Sequence, residues 1–384
     1  METVGGRGAR ARARGGERGF TLVELMVALV VSSLLVGMLF AIFIRMSVAY
    51  RGQQQVAEVQ GKLAAARARI EIDARQAGLA MANGFYLAAQ GPGRLRSPLR
   101  VIDNADGPDE VAFYYADASA QVATVAQGGA CTRRQCNKLG STDGFGVGDV
   151  VVMSTVSWDA AGSGAARLAR FEACVFQLAD VSANNFEFSQ SPPWGSPGNT
   201  FCPSDPTVGT TRFYKLAARH WRIDPARPAD GVLQLSTQGA LVGVDDWQDQ
   251  AYGFTDLQIA TRFFEKDDVE ETRDPDRDPT RDWYSGEGQE LATAAFPPQV
   301  PPATEPPKIP IQISISLVAR TERDVEGVAS SSTPSLTVPG NEENNTIGDR
   351  AAIALPSALP ALAGNRIYRY TTFQVDLRNL GVGR

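Results

Sequence analysis

Few residues in this chain have the type and spacing that chemistry requires. Glu24 is the first: it is the one charge in Phe20 to Ile44, a run of 25 residues that is otherwise apolar apart from Thr21, Ser32, Ser33 and Gly37. A carboxylate placed that far into an apolar helix costs several kcal/mol unless it is neutralised or paired, so it marks a functional position. A carboxyl that is simply protonated in lipid is the less favoured alternative. The four cysteines come next. Cys131 and Cys136 enclose four polar residues, and Cys174 and Cys202 stand 28 apart. Their even number permits two disulfides in an oxidising compartment, while a zinc site would need a partner set that the single histidine, His220, does not supply. His220 beside Trp221 has no recognisable nucleophile or acid partner and reads as a strand or loop residue. Asp274, Asp276 and Asp278 have the alternate spacing that opens an oxygen-ligand calcium loop. Pro279 replaces the turn glycine there and Ser285 the closing glutamate, so a solvated charged loop is favoured and no metal is assigned.

Other motifs fail on context. Gly144-Phe145-Gly146-Val147-Gly148 precedes a strand instead of following one and lacks the third spaced glycine, so it is a turn rather than a dinucleotide loop. No Gly-x-Ser-x-Gly or phosphate-binding loop occurs, and carboxylate pairs are too common in so acidic a chain to single one out. No catalytic residue and no cofactor is assigned, and a membrane-tethered enzyme outside the cytoplasm stays only as a distant competitor. The net charge of −6 over 384 residues argues against a surface that coats phosphates, so direct nucleic-acid binding is not expected.

The elements that must position Glu24 follow from charge and hydropathy. Residues 1–19 carry five arginines against two glutamates, a net +3 that leaves −9 on the rest of the chain. Rich in Gly and Ala and without an apolar face, they read as a tail. The 25-residue apolar run would form a helix of about 37 Å, enough to cross a hydrocarbon core of about 30 Å. The basic tail then stays in the cytoplasm and the remainder lies beyond the membrane. A secretory signal peptide fits poorly, because the apolar run is too long and ends in Ile44, Arg45 and Met46.

Gly19-Phe20-Thr21-Leu22-Val23-Glu24, after a basic leader and directly before the apolar helix, resembles the class III signal of type IV pilins and type II secretion pseudopilins. The resemblance implies that a prepilin peptidase cuts after Gly19 and methylates the new amino terminus at Phe20. It also makes Glu24 the membrane acid, and its depth lets it offset the terminal amine of a neighbouring subunit. Replacing Gly19 by a bulky residue should block cleavage, since close backbone approach needs glycine.

Beyond Arg45 the sequence turns polar but stays helix-compatible. Val56, Val59, Leu63, Ala66, Ile70 and Ala77 recur at steps of three and four, broken only by Asp73, and the pattern ends near Gly78. Docking on a core is favoured over a short coiled coil. Residues 21–78 would make one helix of about 87 Å, with Gly52 and Gly61 as soft points. From about residue 85 short apolar or alternating runs separated by Gly, Pro, Asn and Asp read as antiparallel strands: 110–115, 149–153, 173–178, 185–188, 231–235, 257–263, 311–317 and 368–377. Long loops are expected over 265–310, whose last fourteen residues hold seven prolines, and over 321–366.

The order and length of these strands also resemble the large minor pilins of the PilW type. The expected fold class is therefore α+β and pilin-like, a long N-terminal helix packed on an antiparallel sheet with large loop insertions. The expected organisation is a cleaved leader 1–19, a membrane and assembly helix 20–44, its amphipathic continuation 45–79 and a β-rich domain 80–384 outside the cytoplasm. The resemblance implies a structural subunit, not an enzyme. It would be held in the inner membrane by a single pass and then built into the filament or its tip, supporting adhesion, twitching motility or DNA uptake. The implied partners are the prepilin peptidase, other minor pilins, the major pilin, the inner-membrane assembly platform and membrane lipid. A type II secretion pseudopilin shares every feature of 19–44 and stands as the alternative. In the oxidising compartment the favoured pairing is Cys131 with Cys136 and Cys174 with Cys202.

Overall fold

In the computed structural model the described residues are 20–81, 85–87, 95–102, 104, 107–117, 119–132, 134–158, 169–189, 211–237, 246–264, 283–284, 309–323 and 366–379. One helix, α1 (Leu22–Gln76), opens the described chain. It passes Gly52 and Gly61 without a break, because neighbouring Ala, Gln, Arg and Glu are strong helix formers. It stops where Gly78 turns to φ +80° and sends its N–H to Tyr114 O at 2.9 Å.

The chain divides into two compact units between Gln54 and Gln55. In the first, every side chain from Phe20 to Met46 is exposed. In the second, the amphipathic stripe is buried at Val59, Leu63, Ala66, Ile70, Asp73, Ala74 and Ala77, whereas Val56 is only half-buried.

Two sheets complete the second unit. The larger holds β1 (Phe85–Leu87), β2 (Leu95–Arg96), β3 (Leu99–Ile102), β4 (Glu110–Asp117), β5 (Ala123–Thr124) and β6 (Gln135–Cys136). It continues through β7 (Val150–Trp158), β8 (Ala169–Ser182), β9 (Asn185–Phe188), β10 (Thr211–Ile223), β11 (Val232–Ser236) and β12 (Gln248–Tyr252). Its main path runs β12-β11-β10-β7-β8-β1-β2. The thirteen-residue β10 is its hub, pairing with β7 over 211–215, β4 over 215–221 and β11 over 220–223. The smaller sheet has β13 (Phe254–Phe264), β14 (Trp283–Tyr284), β15 (Ile309–Arg320) and β16 (Tyr368–Asp376), in the order β14-β13-β15-β16. Pairing is antiparallel except between β1 and β8. The architecture is the α+β, pilin-like arrangement expected: a long N-terminal apolar helix packed on antiparallel sheets. Within the stretch 265–310, expected as loop, the described residues Trp283–Tyr284 and Ile309–Pro310 are strand, and the others lie outside the described residues.

The helix stripe, the larger sheet and the smaller sheet share one core. Val59, Leu63 and Ile70 join Phe113, Tyr115 and Trp221 from one sheet and Leu257, Ile315 and Phe373 from the other. Alternation places Ile313, Ile315 and Leu317 of β15 on this side, each worth about 1.5–3 kcal/mol when fully buried. Asp109, just before β4, ties the sheets together. Its N–H donates to Leu257 O and its Oδ2 accepts from Ile259 N, both at 2.8 Å, so a buried side chain fills a place in the ladder. Gly231 makes the sharp entry into β11 at φ +63°, where a Cβ would lie 2.3 Å from Phe254 O.

A second cluster is aromatic, with Phe145, Phe176, Phe186, Phe188 and Phe213 around Cys131, Cys136 and Cys174. Phe176 and Phe188 stack at 4.3 Å between ring centroids, and Phe186 meets Phe145 and Phe213 edge-on.

Candidate functional site

At the start of α1 the backbone and Glu24 form one hydrogen-bonded turn. Thr21 O accepts the first helical bond from Leu25 N at 3.2 Å, which makes Thr21 the N-cap. Its hydroxyl accepts from Glu24 N at 3.3 Å. In return Glu24 Oε2 accepts from Thr21 N at 3.0 Å and from Thr21 Oγ1 at 3.1 Å. This is a capping box, in which residues three apart satisfy each other's orphan groups at a helix start. Glu24 also lies where the positive end of the helix dipole favours an anion. Its other oxygen, Oε1, has no partner among the described residues. Phe20 precedes the helix and is fully displayed. Gly19, the expected cleavage residue, lies outside the described residues.

The arrangement gives an apolar helix with a fixed carboxylate one turn from its start. It offers one accepting oxygen to a cation or amine and contains no nucleophile or acid–base pair. α1 is long and apolar enough to cross a membrane, which fits inner-membrane anchoring.

The other end of α1 is held by a buried acid. Asp73, the residue that breaks the stripe, accepts from Tyr115 Oη at 2.8 Å through Oδ1 and from Trp221 Nε1 at 2.9 Å through Oδ2. Arg219 Nε lies 3.9 Å away. Burial pushes the Asp73 carboxyl above its ordinary value, against the pull of the two donors and the arginine. Burial and the neighbouring Asp73 likewise push the Tyr115 hydroxyl up, so it stays a donor. Outer positions in the second half of the same helix are tied down by Arg69 Nη1 to Gln250 Oε1 at 2.7 Å, by Arg67 over the Phe373 ring, and by Lys62 to Glu322.

Cys131 and Cys136 are joined as a disulfide. Cys174, buried on β8, is also disulfide-bonded, and no free cysteine occurs among the described residues. Cys202 lies outside the described residues, as do Asp274, Asp276 and Asp278. Among the described residues no group of three or more His, Cys, Asp and Glu could hold a metal ion. His220 is buried on β10, with Nε2 2.9 Å from Glu110 Oε2 and its ring 4.8 Å from that of Trp247. Trp247 in turn stacks under Arg222, whose Cζ is 3.6 Å from the ring centroid. That group fastens the segment entering β12.

Two features of the helix ends go beyond the sequence reading. The capping box has a sequence signal, Thr-x-x-Glu before an apolar run. The partners of Asp73 have none, because Tyr115 and Trp221 lie 42 and 148 positions away.

Residues 14–40 match the family model of the prokaryotic N-terminal methylation motif. No curated protein and no solved structure matches the chain. The match covers Gly19, Phe20 and Glu24 and runs into the apolar helix, so the N-terminal segment carries this methylation motif, which supports a pilin- or pseudopilin-like reading of the chain.

Proposed function

We propose that the chain is a minor pilin of the type IV pilus, of the large PilW type, a structural subunit that helps prime filament assembly from a place at the tip. The observation that carries this reading is the methylation motif over 14–40, which runs into an exposed apolar helix whose far end packs in the core of a β-rich unit. Prepilin peptidase removes 1–19 after Gly19 and methylates Phe20. The segment 20–44 anchors the subunit in the inner membrane, 45–79 docks on the domain, and 80–384 faces the periplasm. The basic leader supports that orientation, since cytoplasmic flanks carry the positive excess. Glu24 pairs with the Phe20 amine of a neighbouring subunit. Other minor pilins, the major pilin and the inner-membrane assembly platform are the partners, and surface adhesion, twitching or DNA uptake follows from the filament.

The test is a tagged full-length chain in its own host. Mass spectrometry of sheared filaments should find a methylated N-terminal peptide starting at Phe20, and deletion should reduce surface pili while protein secretion continues. A retained leader in assembled material overturns the pilin reading. Lost secretion with intact pili moves the chain to the type II pseudopilins.

A further inference from the structure

Between Glu24 and Glu58 the only charged residues are Arg45 and Arg51, both positive. Arg45 directly follows Ile44, where the apolar run ends, and Tyr50 and Arg51 come five and six residues later on the same unbroken helix. All three side chains are exposed, Tyr50 to 69%. None of them has a hydrogen bond or ion pair among the described residues. Basic residues just beyond a span, on the side away from the cytoplasm, oppose the orientation that the leader favours, so they need a role of their own.

Direction and spacing together point to that role. At about 100° per residue, Tyr50 points about 140° and Arg51 about 240° round the helix from Arg45, so the three divide its circumference almost evenly. A docking protein would read one stripe at steps of three and four, whereas a lipid leaflet surrounds the helix on every side. Arg45 lies 21 residues beyond Glu24. At 1.5 Å per residue that is about 31 Å, which matches a hydrocarbon core of about 30 Å. Side chains on a helix lean toward its N-terminus, here the membrane side. Tyr50 and Arg51, about 7.5 and 9 Å further out, therefore reach back to the headgroups.

Resting on the reading that 20–44 spans the inner membrane, we propose that Arg45, Tyr50 and Arg51 form a collar for anionic phospholipids. The collar binds their headgroup phosphates in the periplasmic leaflet and so sets the depth of the span. Each guanidinium takes phosphate oxygens through paired N–H donors, and the Tyr50 ring lies at the interface with its hydroxyl among the headgroups. With Arg45 held there, Glu24 lies at the opposite edge of the hydrocarbon core and not in its middle.

The experiment has two readouts on the mature chain purified or labelled in its host's membranes. In the first, the chain is reconstituted in vesicles of phosphatidylcholine with a minor share of phosphatidylglycerol, and the lipid retained in mild detergent is counted by mass spectrometry. Wild type should retain phosphatidylglycerol in preference. Arg45→Lys with Arg51→Lys should keep most of that preference, and Arg45→Gln with Arg51→Gln should lose about fivefold or more. In the second, a membrane-impermeant maleimide is applied to spheroplasts carrying Ala41→Cys or Ala49→Cys. Ala49→Cys should label and Ala41→Cys should not. The double glutamine variant should shield Ala49→Cys as the helix slides inward, and Tyr50→Ala should do so without changing the lipid preference. An unchanged preference in the double glutamine variant overturns phosphate binding, and if that variant is also lost from sheared filaments the arginines belong to a neighbouring subunit. Unchanged labelling of Ala49→Cys overturns the control of depth. Labelling of Ala41→Cys as fast as Ala49→Cys in the otherwise wild-type chain refutes the membrane span itself, so that failure is told apart from failure of the collar.

Discussion

Glu24 and Asp73 are both acids on an apolar stretch of one helix, and their surroundings make them opposites. Glu24 is exposed at the helix start, with one oxygen held and one offered; Asp73 is buried and fully engaged by Tyr115 and Trp221. Glu24→Ala should insert in the membrane as well as wild type or better, because an acid no longer enters lipid, yet be depleted from filaments. It also removes half of a capping box. Glu24→Gln is the cleaner variant, since glutamine can keep the box while losing the charge. Depletion of both variants from sheared pili is the expected outcome, and normal pilus counts with Glu24→Gln would show the charge to be incidental. Asp73 gives a pH prediction. Burial holds its carboxyl above the unfolded-state value, so the folded chain binds the proton more tightly. Its contribution is therefore most favourable in acid, and it declines as pH rises from the ordinary carboxylate range through the raised value, then levels off. Denaturant unfolding of the detergent-solubilised chain from about pH 3 to about pH 8 should show wild type losing stability relative to Asp73→Asn as pH rises. A difference that grows the other way would refute the assignment. Asp73→Ala should be worse than either at every pH, because it orphans two buried donors at about 1–3 kcal/mol each.

Helix α1 is legible in the sequence because its stripe at steps of three and four is a local pattern, and the buried positions Val59, Leu63, Ala66, Ile70 and Ala77 follow it. Strands with clean alternation, such as the run inside β15, are legible for the same reason. The hub strand β10 is not. Its sequence is crowded with Arg212, Lys215, Arg219, His220 and Arg222, and its burial alternates only in part. It is a strand because β4, β7 and β11 supply partners from distant parts of the chain, and long-range pairing outweighs local propensity. At the helix start, the acid and its apolar surroundings stand out in the sequence, whereas the grip of the Thr21 hydroxyl on that acid is a matter of geometry. The helix stripe yields a paired prediction. Ile70 is fully buried, while Ile72, two residues on, is 56% exposed. Ile70→Ala should lower stability by about 2–5 kcal/mol through lost burial and a cavity. Ile72→Ala should stay within about 0.5 kcal/mol. Chemical denaturation followed by tryptophan fluorescence checks both, and equal losses would mean the helix docks by another face.

At the scale of the whole molecule, charge and thiols bear on the same question of compartment. Removing 1–19 takes away a net +3 and leaves the rest of the chain at −9, so the leader concentrates the positive charge that would hold the N-terminus in the cytoplasm. If residues beyond the apolar run lie outside, their thiols meet an oxidising environment. The bond between Cys131 and Cys136 and the bonded state of Cys174 suit that compartment. Both surround the aromatic cluster of Phe176, Phe186 and Phe213. We propose Cys202 as the partner of Cys174, the pairing that leaves no cysteine over. Closing the longer loop should contribute roughly 3 kcal/mol through the unfolded chain, and the short ring between Cys131 and Cys136 less. Reduction should therefore loosen the chain chiefly through Cys174, and Cys174→Ala with Cys202→Ala should cost more stability than the pair Cys131→Ala and Cys136→Ala. Peptide mapping of chains from the membrane fraction, with thiols blocked before lysis, provides the decisive measurement. Peptides linking Cys131 to Cys136 and Cys174 to Cys202 are the expected result. Crossed linkages would overturn the connectivity, and four free thiols would overturn the placement of this domain outside the cytoplasm.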